Sequence, residues 1–231
     1  MWKKKVACIL AVMALCGTMA AGAADYTILE KADKVETTVY GTTQTGSLND
    51  RIAALDKLLN GQSTVSGSLQ DKTNALYKDV YGNSGSDLSL LTAVNLMQWQ
   101  YSGQITDEPL LVRIESLEQS IDGKTMSGSL EGRVLALRRT LLGNKKYVSQ
   151  TVTIPANTLV TMTNIDALNS KTIQEGDVVR FAVADDICVG DVIAIPRGMG
   201  PSPRPGSPAA LARTAKSKSP MTTSALPTVR P

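Results

Sequence analysis

The 231-residue chain contains no histidine, one phenylalanine, two tryptophans and three cysteines. Without histidine it lacks the commonest general base and metal ligand of proteins. The cysteines form no pair at metal-binding spacing, and no glycine-rich loop follows a strand at the spacing that cradles phosphate. The sequence therefore reads as non-enzymatic: it assigns no catalytic, cofactor-binding or metal-binding residue and implies no cofactor. Asp185, Asp186 and Asp191 lie close together. Ile187 to Gly190 lack the regular oxygen spacing of a calcium loop, so these acids read as a solvated turn. The other acids are dispersed over helix faces instead of converging on a cleft, which argues against a glycan hydrolase.

Long apolar runs are scarce as well. Val6 to Leu15 follows Met1-Trp2-Lys3-Lys4-Lys5 and is too short to span a bilayer comfortably. Small residues at Ala21-Gly22-Ala23 and Gly22-Ala23-Ala24 suit signal-peptidase cleavage, so residues 1–24 read as a signal peptide. The expected location is the periplasm or cell envelope of a bacterium, the outer membrane included. Leu15, directly before Cys16, is too large for a lipobox and argues against a lipid anchor. Cys8 and Cys16 leave with the signal. Cys188 remains, without a partner for an internal disulfide, and its apolar neighbours predict a core position.

The net charge of +3 comes from the expected signal. Without Lys3, Lys4 and Lys5 the chain is neutral, and residues 199–231 carry five basic residues and no acid. Residues 25–198 thus hold five acids in excess, which gives no electrostatic footprint for nucleic acid. No helix is basic enough on one face to suggest a membrane surface.

What the chain has is repetition. Gly41, Gly61, Gly82, Gly103, Gly123 and Gly143 recur every 20 or 21 residues. Each follows four apolar positions, 13, 9, 6 and 2 residues earlier: Leu48, Ile52, Leu55 and Leu59 in the second unit, Leu110, Ile114, Leu117 and Ile121 in the fifth. These spacings put the four side chains on one helical stripe, whereas a strand would scatter them over both faces. Ser47 with Asp50 and Ser68 with Asp71 have the spacing of a helix cap. Ser129 has Gly132 where the acid would be, a weaker start. The glycines are expected to end the helices in the left-handed conformation.

Helices of about 13 residues are marginal alone and must pack on one another. Linkers of roughly 5 to 7 residues favour antiparallel neighbours, and three hairpins stacked side by side would bury a continuous stripe as a solenoid does. A coiled-coil oligomer is the competing arrangement, because the same spacing is heptad spacing. Lys31, Arg51, Lys72, Arg113 and Arg133 recur ten residues before the glycines and read as a solvated helix flank. Trp99 and Tyr101, in the most degenerate unit, read as packing residues.

After Lys146 the pattern changes. Val148 to Ile154, Leu159 to Thr163, Val178 to Ala184 and Asp191 to Ile195 read as strands between turn signals. The predicted organisation is a helical repeat region over 25–146, a small β domain over 147–198, and a Pro-rich disordered tail over 199–231. The fold class is mainly α: six short antiparallel helical repeats followed by a small β domain. Its core is near the limit for independent stability, so something should complete it.

Ile154-Pro155-Ala156-Asn157-Thr158, Leu168-Asn169-Ser170-Lys171, Gly176-Asp177-Val178-Val179-Arg180-Phe181 and Ile193-Ala194-Ile195-Pro196-Arg197-Gly198 resemble a β domain of bacterial envelope proteins. There, two Ile-Pro-x-Gly segments flank a Gly-Asp-x-Val-x-Phe strand; here Asn157 replaces the first glycine. A more distant likeness is to the β domain of type IV secretion outer-membrane complexes. The repeat region resembles Tyr-Gly and Gly-Ser-Leu repeats of secreted proteins from outer-membrane-bearing bacteria. These resemblances cover about residues 27 to 198 and imply location and fold, not chemistry. They imply a protein or cell-envelope partner and no nucleic acid, and leave oligomer formation open. The expected role is a helical-repeat scaffold or interaction module. The alternative is an accessory part of a secretion or surface-appendage complex acting through the β domain.

Where that domain should continue with strands, residues 199–231 hold seven of the ten prolines. Read one base back, Ala215 to Ser224 can encode Gly-Glu-Ile-Glu-Val-Thr-Tyr-Asp-Asp-Phe, an alternating strand pattern. The tail therefore reads as out of frame, which would leave the β domain incomplete.

Overall fold

The computed structural model describes residues 26–62, 66–84, 87–143, 145, 147–167, 179–190, 192–200 and 221–229. The expected signal peptide lies outside them. Six helices of 13 residues follow one another: α1 (Ile28–Tyr40), α2 (Leu48–Asn60), α3 (Leu69–Tyr81), α4 (Leu90–Ser102), α5 (Leu110–Asp122) and α6 (Leu130–Leu142). The stripe is buried as its spacing predicts; Ala32, Val35, Val39, Ile52, Leu55, Leu59, Leu76 and Val80 are at most 2% exposed. Each such Val, Ile or Leu side chain contributes about 1.5–3 kcal/mol of burial, which offsets the poor stability of a lone three-turn helix. Tyr101 departs from the stripe and is half exposed.

Five of the six starts are capped by hydroxyls; α5 starts at Pro109 without a side-chain cap. Thr27, Ser47, Ser68, Ser89 and Ser129 each accept a bond from the backbone N–H three residues on, and Thr27–Glu30 and Ser68–Asp71 form reciprocal boxes. The Glu30 and Asp71 carboxyls are held below their ordinary range by those capping bonds. Ser129 caps without an acid three residues on, where Gly132 stands. Gly82 and Gly143 do not end their helices in the left-handed helical region; Gly82 has φ −84°, and Gly143 has φ 60° with ψ −140°. The α3–α4 connection instead makes its own structure: Ser84 pairs with Asp87, and Asn83 accepts from the Ser89 N–H at 2.9 Å.

The helices do not form a linear stack of three hairpins. α1 packs most extensively on α3, and α4 on α6, but α1 also meets α5, and α2 meets α6. The chain closes on itself because a four-position stripe on so short a helix needs apolar partners on several sides. Lys31 to Asn74, Lys34 to Tyr77 and Thr38 to Tyr81 are side-chain hydrogen bonds at a constant offset of 43 residues. α1 and α3 therefore run in the same direction, as alternation between successive helices requires. The Gly41 end of α1 abuts Pro109 at the start of α5, and the Gly61 end of α2 abuts Ser129 at the start of α6, both 68 residues on. α4 is the central helix: seven consecutive residues, Thr92 to Gln98, are buried, which is why its stripe looked degenerate.

Among the described residues six strands follow, all in antiparallel pairs: β1 (Tyr147–Ile154) with β6 (Met221–Val229), β2 (Met162–Asn164) with β3 (Phe181–Val183), and β4 (Ile187–Val189) with β5 (Val192–Ile195). Over Met221–Val229 the chain is thus a strand where the sequence predicts a tail; residues 201–220 lie outside the described residues. A bulge sets Ser149 opposite Leu226 and Pro227, which places the proline, lacking an N–H, where the ladder is already broken. β4 was not predicted, because three residues give too little alternation to read. Tyr147, Ile154 and Ala194 are buried in one apolar cluster with the helices. The bundle thereby completes a core that is too small alone.

The two Ile-Pro segments fold alike. Thr158 N–H donates to the Pro155 carbonyl and Met199 N–H to the Pro196 carbonyl, each at 3.2 Å. Asn157 and Gly198 occupy the equivalent place with φ of 67° and 83°. Asparagine substitutes for glycine there because it tolerates the left-handed region.

Candidate functional site

The charged residues of the repeat come together at the joints between helices. Arg51 donates from Nε to Glu36 at 2.9 Å and from Nη2 to Glu36 at 2.6 Å, and reaches Asp33 as well. Arg133 donates from Nε and Nη2 to Glu118 at 2.7 Å each. Both glutamates are 0% exposed on their side chains. Each also accepts a loop N–H eight residues on, from Gln44 at 2.7 Å and Met126 at 2.9 Å. One carboxylate thus fastens the start of the next helix and the loop leading to it.

This corrects the reading of these arginines as a solvated flank. Arg113 is 3% exposed and Arg133 8%. The acids that hold Arg51 and Arg133 sit five residues before the preceding glycine, at Glu36 and Glu118. That position, compared between adjacent units with the basic one ten before the next glycine, is the signal a single-unit reading overlooks. Burial alone would raise the Glu118 carboxyl, but the Arg133 guanidinium and the Met126 N–H outweigh it and hold the group below its ordinary value. At the joint of α3 and α4 the two positions are Tyr77 and Ala93, and no such clamp exists.

The joint of α4 and α5 keeps the geometry with different chemistry. Arg113 donates from Nε to Gln98 at 2.8 Å and from Nη2 to Asn95, so two amides replace two carboxylates. Gln98 also accepts the Thr106 N–H at 3.3 Å and donates to the Thr106 hydroxyl at 3.0 Å. Burial without a carboxylate in the clamp lowers the Arg113 pKa to about 10, against the opposing pull of Glu108 and Asp107.

That loop is where the β region meets the bundle. The Ile105 N–H donates to the Arg197 carbonyl at 2.8 Å. Trp99 Nε1 donates to Asp186, which also accepts the Arg197 N–H at 2.7 Å. Arg180 holds Asp166 and lies 3.8 Å from Asp107; its bonds keep the Asp166 carboxyl below its ordinary range. Between loop and strands lies an open cleft of about 380 Å³, with Ile105, Asp107 and Glu108 on one side and Thr163, Ala182 and Gly198 on the other.

Of the residues weighed in the sequence, Asp185 and Asp186 are exposed in a turn, and Asp191 lies outside the described residues. No cluster that could hold a metal ion occurs among the described residues. Cys188 is exposed, not in the core: Ile187 and Val189 turn inward on β4 and alternation turns Cys188 out. Trp99 packs partly against the core, as expected. No described helix is long and apolar enough to cross a membrane. No family model, no curated protein and no solved structure matches this chain.

Proposed function

We propose that the chain is a non-enzymatic exported protein of the bacterial cell envelope, whose helical array serves as a scaffold or interaction module and whose β region serves attachment or assembly. The observation that carries this reading is the use of the repeat's charged residues. Glu36, Glu118, Arg51 and Arg133 are committed to one another at the joints, and Asp50 and Asp71 to helix starts. Residue types that would do chemistry elsewhere hold helices in register here. Recognition then falls to outward side chains such as Leu29, Val112 and Leu135, each about half exposed. Cross-linking in intact envelopes tests this. A protein partner recovered with the native chain, and lost when Leu29, Val112 and Leu135 are replaced by Glu in a folded variant, supports the reading. Undiminished recovery of the same partner counts against it.

A second reading, an accessory part of a secretion or appendage complex acting through the β region, draws on one observation. Leu159 is 92% exposed, and Val160, Met162 and Ile165 stand out beside the short strand β2. It predicts a defined oligomer that co-purifies with membrane machinery; a soluble monomer at cellular concentration argues against it.

A further inference from the structure

The joint of α4 and α5 differs from the joints of α1 with α2 and of α5 with α6 in one respect, and it is the joint whose loop carries the β region. At the joints of α1 with α2 and of α5 with α6, a buried arginine faces a buried carboxylate, so the charge is balanced within the clamp. At this joint Arg113 faces only the amides of Gln98 and Asn95. The acids nearest in effect are Asp107 and Glu108, on the loop itself. Compared with the other joints, the negative charge has moved from the helix to the loop, where Asp107 also meets Arg180 of the β region.

We propose that Gln98 is a positioning residue that makes the α4–α5 loop an electrostatic coupling element, setting how firmly β2, β3 and the Arg197–Met199 segment are held on the bundle. An uncharged side chain at position 98 sets no negative charge beside the loop that carries Asp107 and Glu108. It also grips Thr106 through two hydrogen bonds. The loop so held presents the Ile105 N–H to Arg197, and Gly198 lies so close to the Ile105 carbonyl that an added Cβ would stand 1.9 Å from it. On the far side, the Gly198 N–H and the Met199 carbonyl bond Val183 of β3. Gln98, the loop, the Arg197–Met199 segment and β3 therefore form one bonded series from the buried helix to the strands. A glutamate at position 98 would restore the clamp of the other joints. It would cancel Arg113 internally, repel the loop acids and take the Thr106 hydroxyl away from Glu108.

The coupling makes two quantities move in opposite directions. In Gln98→Glu, the denaturation midpoint of the helices, followed by circular dichroism, should rise. Amide exchange over 179–190 and 192–200, followed by mass spectrometry, should quicken on the order of fivefold, the change in open population that one lost contact of this class produces. Asp107→Asn should quicken the same segments and leave the helical midpoint unchanged. Glu36→Gln, at the same place in another joint, should lower the midpoint without a selective effect on those segments. Unchanged or slower exchange over 179–200 in Gln98→Glu overturns the proposal. Should Gln98→Glu fail to fold, Asp107→Asn decides alone, and unchanged exchange in that variant overturns it.

Discussion

Arg133 reaches back fifteen residues to Glu118, and Arg51 reaches back fifteen to Glu36, with the same two guanidinium nitrogens on the same carboxylate. The recurrence of a bidentate buried pair at two joints far apart in sequence marks it as part of the repeat. A planar guanidinium suits this place because it fixes direction as well as charge, which a lysine does not.

The two kinds of joint should respond to different degrees to loss of their arginine. Arg133→Met leaves Glu118 buried without its counter-charge and should cost about 3–5 kcal/mol. Arg113→Met removes a buried cation but leaves the buried Asn95 and Gln98 amide oxygens without its donors, and should cost less, about 1–3 kcal/mol. Urea denaturation of both variants beside the native chain measures the difference.

Acid should weaken the α5–α6 joint. The Glu118 carboxyl in the folded chain lies below its ordinary value of 4.5, so the unfolded chain binds that proton more readily. The stability it contributes is complete above that ordinary value and is lost as pH falls through the lower folded value. Denaturation midpoints measured from pH 7 down to about 3 should fall in the native chain and fall less steeply in Glu118→Gln.

The exposed Cys188 should react with a maleimide in the folded protein, without denaturant, at a rate close to that in the unfolded chain. A large rate increase on unfolding would instead place the thiol in the core.

The helices were legible because their information is local: four apolar positions, a hydroxyl at the start and a glycine at the end suffice to define each one. The joints were not, since Glu36 and Arg51 belong to different units and each alone resembles a solvated surface charge. The closed packing of α1 on α5 and α2 on α6 rests on contacts 68 residues apart, for which the period itself holds no instruction. Cys188 was misplaced because apolar neighbours in sequence face the opposite side of a strand. The cleft was illegible for a related reason: Asp107 and Glu108 acquire meaning only when Arg180 and Gly198 are brought to them by the β region.

The reading frame of the last segment has its own check, a nucleotide read across codon 199 and past the stop. A shifted frame that stays open and continues the Glu-Ile-Glu-Val-Thr-Tyr alternation would remove β6, whereas the pairing of Met221–Val229 with β1 favours the frame as translated. A clean frame as translated, with the shifted one closed, makes the five basic residues of 199–231 a genuine feature and the first candidate for binding an acidic surface.

That the repeat's charges hold helices together is tested most directly by a double-mutant cycle on Glu118→Gln and Arg133→Met, read by urea denaturation. The account predicts a coupling of about 1.5 kcal/mol or more, with the double variant more stable than the sum of the single losses implies. A coupling below about 0.5 kcal/mol would mean that the two residues act independently, and would contradict it.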